Sequence, residues 1–252
     1  VRTEHCFVCG CELEYLDRTK DLICSVCGAK EPGCIRCPHG HYVCEKCHNR
    51  EMMHVIEDTA LNSSSTNPLE IAETIMALRE LPMLGCQHAH AAAAALLVAV
   101  MNEGSHHVTH MDIEEVVRRT MRQAVGGYCG LTGVCGVVPA LGACFSLLLG
   151  SKCGRDPEQR LTMKAVTEFS KVVADLTGPS CCKAYVRSCL SAAIPLLKRH
   201  AGISLPGRDT AIECRHSARH PHGCRKARCP YYGGNGGGTL EEENENNASC
   251  RS

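Results

Sequence analysis

The chain has 252 residues, enough for one or two domains, and its 27 Lys plus Arg balance 27 Asp plus Glu. No net field is left to draw in nucleic acid or an anionic membrane. Six tyrosines, three phenylalanines and no tryptophan are thin for a β-sandwich and suit helices packed through Ala, Leu, Val and Gly, while cysteine stands out at 21 residues.

So many cysteines mean disulfides or metals. A disulfide framework belongs to a small secreted domain behind a signal peptide, and "VRTEHCFVCG" carries no apolar signal core. The cysteines also come as C-x2-C pairs, which suit metal sites better than scattered bridges. The expectation is a reducing cytoplasm. Val1 is expected to be a start codon read literally, with the N-terminus near complete.

Residues 1–50 form a cysteine module. Its pairs are Cys6/Cys9, Cys24/Cys27, Cys34/Cys37 and Cys44/Cys47, eight thiolates for about two tetrahedral zinc ions. Fifty residues bury too little apolar surface to fold unaided, so zinc would supply the folding energy. Two pairings stay open. Sequential pairing makes a zinc ribbon and a compact second site; a cross-brace joins the first pair with the third and the second with the fourth. "CPHGHYVCEKCH" resembles the His-x2-Cys-x2-Cys part of cross-brace fingers, so His39, His41 or His48 can replace a cysteine. Cys11 reads as spare, and the module as structural rather than catalytic.

Residues 60–202 read as a helical domain. In "STNPLEIAETIMALREL", Asn67 is a natural N-cap with Pro68 at the first helical position. "GCQHAHAAAAALLVAVMNEG" is a second helix, with enough alanine to let neighbours approach closely. "THMDIEEVVRRTMRQAV" is a third, with Ile113, Val116, Val117 and Met121 on its apolar side. No charge falls between Arg122 and Lys152. That run is long enough to span a bilayer, but Pro139 and six glycines before Ala143 break it, so a buried segment is expected and no membrane span. Within it, "PALGACFSLLLG" is apolar on every face and is expected to be the central helix. Two more helices follow, capped at Asp156 and Ser180 and ended by Gly178 and Gly202.

Residues 203–252 form a tail with Cys214, Cys224 and Cys229 as further metal candidates, disordered from about 233 and low in complexity beyond it. Its basic cluster lacks the interleaved aromatics of a nucleic-acid surface. The architecture is thus mainly α, a helical bundle domain with a small N-terminal zinc-knuckle module.

Eight cysteines fall in the helical domain. Cys144 and Cys189 read as packing and Cys153 as a loop thiol. Cys129 and Cys135 lie in the glycine-rich "GGYCGLTGVCG", where free backbone N–H groups suit thiolates or sulfide. Cys181 and Cys182 open the last helix, whose dipole favours thiolate. Cys86 and His90 stand i,i+4 on one helix, with His88 between them. The reading is a joint site: Cys86, Cys129, Cys135 and Cys181 as cofactor ligands, with His88, His90 and Cys182 catalytic.

This order of a Cys/His helix start, "CGLTGVCG" running into an apolar helix, and "GPSCCK" resembles the redox-active C-GCAxxG-C-C family over residues 82–190. Cys135 with Gly136 matches that family's inner Gly/Cys pair, Cys86 its first cysteine, and Cys181 or Cys182 its later ones. Cys129 and the vicinal pair depart from the pattern. The resemblance implies a helical fold with a metal or iron–sulfur centre. The whole chain also resembles an uncharacterised family of anaerobic archaea and bacteria that joins a zinc-knuckle N-terminus ending "GHYVCEKCH" to this domain and to a "C…C…CPYY" segment. That likeness implies His88 as a site residue.

Two function classes follow. One is a metal- or iron–sulfur-dependent redox or sulfur-handling protein with a redox or sulfur-transfer partner. The other is a non-catalytic zinc-knuckle adaptor or scaffold that binds a partner enzyme or RNA, nucleic acid being disfavoured by the charge. Dithiol exchange by Cys181/Cys182 ranks last, because a vicinal disulfide closes a strained ring. The sequence has no dinucleotide fingerprint, no phosphate-binding loop and no paired carboxylates for hydrolysis.

Overall fold

The computed structural model describes residues 6, 8–176, 178–207 and 211–233. Glu14–Ile23 (β1) and Lys30–Arg36 (β2) pair antiparallel as a hairpin, from Ile23 opposite Lys30 to Glu14 opposite Arg36, with an irregularity between Tyr15 and Lys20. Among the described residues eight helices follow: α1 Glu45–Leu61, α2 Pro68–Met76, α3 Gln87–Glu103, α4 His110–Met121, α5 Tyr128–Thr132, α6 Val137–Leu148, α7 Asp156–Asp175 and α8 Cys182–Ala201. The mainly α architecture with a small cysteine-rich N-terminal module is therefore the observed one.

Side-chain caps form at three of the eight described helix starts, those of α1, α2 and α4. Asn67 Oδ1 accepts from Leu69 N–H at 3.0 Å with Pro68 behind it. Thr109 and Asp112 form a capping box on α4. Two starts lie one residue from expectation: Arg155 caps α7 while the Asp156 carboxylate turns to Arg160, and Cys181 rather than Ser180 caps α8.

The centre of the bundle is α3, not α6. Every residue from Gln87 to Val100 is buried, and α3 packs against α1, α2, α4, α6 and α8. Alanine decides this. The run Ala91–Ala95 has almost no side chain to hold neighbours off, so five helices reach one axis. Helix α6 leaves Ser146, Leu147 and Leu148 half-buried and lies one layer out, stacked on α7 through an edge-to-face Phe145–Phe169 pair at 5.5 Å. A methyl group at Gly142 would stand 2.7 Å from Val166, so that α6–α7 contact needs glycine. On α4, Met121 is exposed, whereas Thr120 is buried, its hydroxyl bonded to Val116 C=O.

The uncharged run divides. Ala124 is buried, Val125, Tyr128, Leu131 and Val134 are exposed, and burial resumes at Cys135. Among the described residues no helix is long and apolar enough to cross a membrane.

Helix α1 bridges the two expected regions, holding Cys47 at its start and burying Ile56 and Ala60 in the helical core. Residues 211–233 fold back onto the start of α8, where Tyr231 OH and Ser188 Oγ stand 2.8 Å apart. Residues 234–252, with their expected disorder and Cys250, lie outside the described residues, as does the His48 side chain.

Candidate metal centres

The hairpin determines how the N-terminal cysteines meet. Cys24 and Cys27 sit in its turn, where Gly28 (φ +71°) gives Cys24 C=O an N–H partner at 2.9 Å. The chain returns beside that turn through a parallel bridge from Tyr42 to Cys24, bringing Cys44 and Cys47 to the same tip. Cys24, Cys27, Cys44 and Cys47 thus place four sulfurs within 4.8 Å of one another. Cys44 also caps α1, its sulfur accepting from Cys47 N–H at 3.4 Å. The Cys27–Cys44 sulfur separation of 3.6 Å is near the edge of about 3.8 Å that a zinc–thiolate tetrahedron requires.

At the open end of the hairpin the start of β1 and the end of β2 meet. The second group there is Cys6, Cys9, Cys11 and Cys37, with Cys9 and Cys37 sulfurs 3.8 Å apart. His41 Nδ1 lies 3.3 Å from Cys37 Sγ and 3.9 Å from Cys6 Sγ, and His39 Nδ1 lies 3.6 Å from Cys9 Sγ. Five or six donors thus surround a place for one ion. Cys34 stays outside both groups. It lies within β2, and an extended strand turns side chains three apart to opposite faces. A C-x2-C pair is a knuckle only where its middle residues turn; Cys34–Cys37 is not one, and Cys11 supplies the fourth sulfur.

At the other end of the molecule the vicinal cysteines part. Cys182 Sγ accepts from Gly85 N–H at 3.4 Å, just before α3, with Cys135 and Cys129 within electrostatic reach. Burial pushes the Cys182 thiol up to about 12 and Cys135 to about 11, so neither is a ready nucleophile; both are thiols that a metal would deprotonate. Burial likewise holds His88 down near 3 and His90 near 4. Both rings are neutral at physiological pH, unsuited to acid–base work there but competent as ligands. His88 Nδ1 donates to Gly85 C=O at 3.2 Å, while buried His88 Nε2 and His90 Nδ1 have no hydrogen-bond partner. Cys86 is half-buried beside Gly85. Cys144 and Cys189 are fully buried in the core and Cys153 is exposed.

Cys181 faces the other way, toward Cys214, Cys224 and Cys229, and all four line one cavity. Sequence reasoning missed the cations packed around it. Buried Arg187 makes a two-pronged bond to Glu73 at 2.6 and 2.8 Å and stacks over Tyr231. Buried Lys183 donates to Met76 C=O at 2.8 Å, satisfying the C-terminus of α2. The one available signal was Lys183 and Arg187 at i,i+4 on a helix otherwise rich in apolar residues.

The fold and these thiol groups define a mainly helical, cysteine-rich protein with an N-terminal module able to hold two metal ions. Residues 56–232 match DUF5714, a family of unknown function, and the chain belongs to it. The match runs through the helices and the C-terminal cysteine segment and stops short of the N-terminal module. No curated protein and no solved structure matches the chain.

Proposed function

We propose that this protein is a metal-dependent redox or sulfur-handling protein. Its N-terminal module is a structural element holding two zinc ions, and its chemistry resides in the thiols around the start of α8. One observation carries this reading: adjacent residues Cys181 and Cys182 serve two separate thiol groups, Cys182 toward Cys135 and Cys129, Cys181 toward the C-terminal segment. Packing alone does not call for seven cysteines around one helix start, next to two buried imidazoles with unpartnered nitrogens. The described cysteines are all free thiols, which agrees with a reducing compartment such as the cytoplasm.

The test is anaerobic purification of the full chain, followed by metal and sulfide analysis, dithionite titration and assay of sulfane sulfur. The expected result is about two zinc ions together with a reducible centre or thiol-bound sulfur that substitution of the cysteines around the start of α8 diminishes. Two zinc ions with neither property overturns the reading. The adaptor reading would rest on Val8, Tyr15, Ile23 and Val26, which are exposed on the N-terminal module and serve docking only where they form a contiguous apolar patch. Loss of partner capture in a Tyr15→Ser, Val26→Ser variant with normal zinc content would support it.

A further inference from the structure

We propose that Cys181, Cys214, Cys224 and Cys229 ligate a [4Fe–4S] cluster between the start of α8 and the folded C-terminal segment. This deepens the redox reading by naming a cofactor for one of its two thiol groups, and it assigns the Cys182 side no part in holding that cofactor.

The four cysteines line one cavity that is partly open to solvent. No carboxylate lines it. The spacing of its sulfurs separates it from the N-terminal sites. Among the described residues, groups of four cysteines with sulfurs within 4.8 Å of one another occur only in the hairpin module. One zinc ion draws its thiolates onto a single tetrahedron, whereas a cubane binds each thiolate to a different iron and holds them further apart. The nearby histidine does not complete a zinc site: His220 Nε2 is 2.9 Å from Ser180 C=O, and His220 Nδ1 accepts from His222 N–H at 3.3 Å, so both nitrogens are engaged.

Backbone geometry supplies a second, independent argument. In the hairpin module Cys6 and Cys24 each accept an N–H two residues on, from Val8 and Val26, at 3.4 Å. Cys214 and Cys224 repeat this with His216 and Lys226 at 3.4 Å. Two of the four sulfurs therefore receive a main-chain proton donor, the device by which proteins hold metal-bound thiolates and tune the centre.

Charge supplies the third. Four thiols that give up their protons to bind a doubly positive core leave a net charge of minus two. Arg225 lines the cavity and is 4% exposed. Its Nη2 donates to Pro179 C=O at 2.6 Å, but Nε and Nη1 have no partner. A buried guanidinium with two idle donors is costly unless an anion or its sulfides occupy the space beside it. Arg187 lines the same cavity, and the amide end of the 20-residue α8 opens onto it at Cys181.

The experiment uses the full chain, produced anaerobically and reconstituted with ferrous iron and sulfide, then assayed for iron, sulfide and zinc and examined by electron paramagnetic resonance after dithionite supplies one electron. The expected result is about four iron and four sulfide ions per chain in addition to the zinc, and a reduced-cluster signal. Cys214→Ser and Cys229→Ser should lose most of the iron and keep the zinc, while Cys182→Ser should keep the iron. A third zinc in place of iron overturns the proposal; so does iron that survives Cys214→Ser and Cys229→Ser and leaves with Cys182→Ser. Should the cysteine variants misfold, Arg225→Gln decides. It keeps every ligand and removes one positive charge, so the reduction potential must fall; an unchanged potential overturns the assignment. A cluster that binds but accepts no electron would sink the redox reading and leave the cluster site standing.

Discussion

The hairpin module and the helical bundle reach order by different means. In the bundle a continuous core of Ala, Leu, Val and Ile closes around α3, and burial of apolar area is the driving term. Among the described residues up to 44, the buried side chains are Cys6, Leu22, Cys24, Cys37 and Cys44: four thiols and one leucine. Such a segment has no core without a metal, because its buried sulfurs compensate one another only when an ion joins them. One chain thus carries a part with a thiol core able to hold metal and a part with an apolar core. Helix α1 ties them together.

That contrast can be broken most forcefully by removing metal. Chelation should unfold the hairpin module, where each structural zinc contributes an apparent binding free energy of about 10–16 kcal/mol, and should leave the helical circular dichroism largely intact. Collapse of the helical signal together with the module would show that the two parts are not independent. Zinc counting sharpens the same point: Cys27→Ala or Cys44→Ala should take the content from about two to about one, while Cys34→Ala leaves it unchanged. In the group of Cys6, Cys9, Cys11 and Cys37, Cys11→Ala should lower the zinc content and His41→Ala should leave it unchanged; the reverse would make His41 the fourth donor.

The bundle should answer to packing instead. Leu97→Ala, fully buried on α3, should cost about 2–5 kcal/mol in urea unfolding without altering zinc content. Glu73→Ala strands the buried Arg187 guanidinium and should cost about 3–5 kcal/mol, since a buried charge is left without its counter-ion.

Acid should separate the regions more gently. His88 and His90 are buried neutral with folded values near 3 and 4, below the ordinary value of about 6.5. A depressed histidine favours the unfolded state once that state protonates. The stability these rings contribute is therefore complete above about 6.5 and lost as pH falls toward 4 and 3, at up to about 1.4 kcal/mol per pH unit for each ring. Urea midpoints against pH for the wild type and a His88→Gln, His90→Gln double variant check this; parallel curves would refute it. The smallest effect is Asn67→Ala, which removes the α2 cap bond and should cost about 1 kcal/mol.

Much of this was legible in the residues. The cap at Asn67, the αL glycine at 202 and the packing role of Cys144 and Cys189 rest on local chemistry, which a linear sequence displays. The centrality of α3 was misjudged for a physical reason. Apolar content marked α6 as innermost, but the closeness of approach that alanine permits decided the matter. Cys34 and Cys11 exchanged places because C-x2-C spacing does not say whether the middle residues turn or extend. Cys181 and Cys182 looked like one feature, and the helix start aims them apart.

By itself the sequence determined the existence of two kinds of region, most of the helices with the cap at Asn67, and the thiol supply for metal binding, since each depends on residue type and spacing along the chain. Tertiary structure alone decided which thiols meet. The antiparallel hairpin brings Cys37 back to Cys6 and Cys9, and residues 211–233, read from sequence as a tail, fold over α8 to set three cysteines and an under-bonded arginine around Cys181. Ligand sets are formed by contacts distant in sequence, and only the packed chain chooses among them.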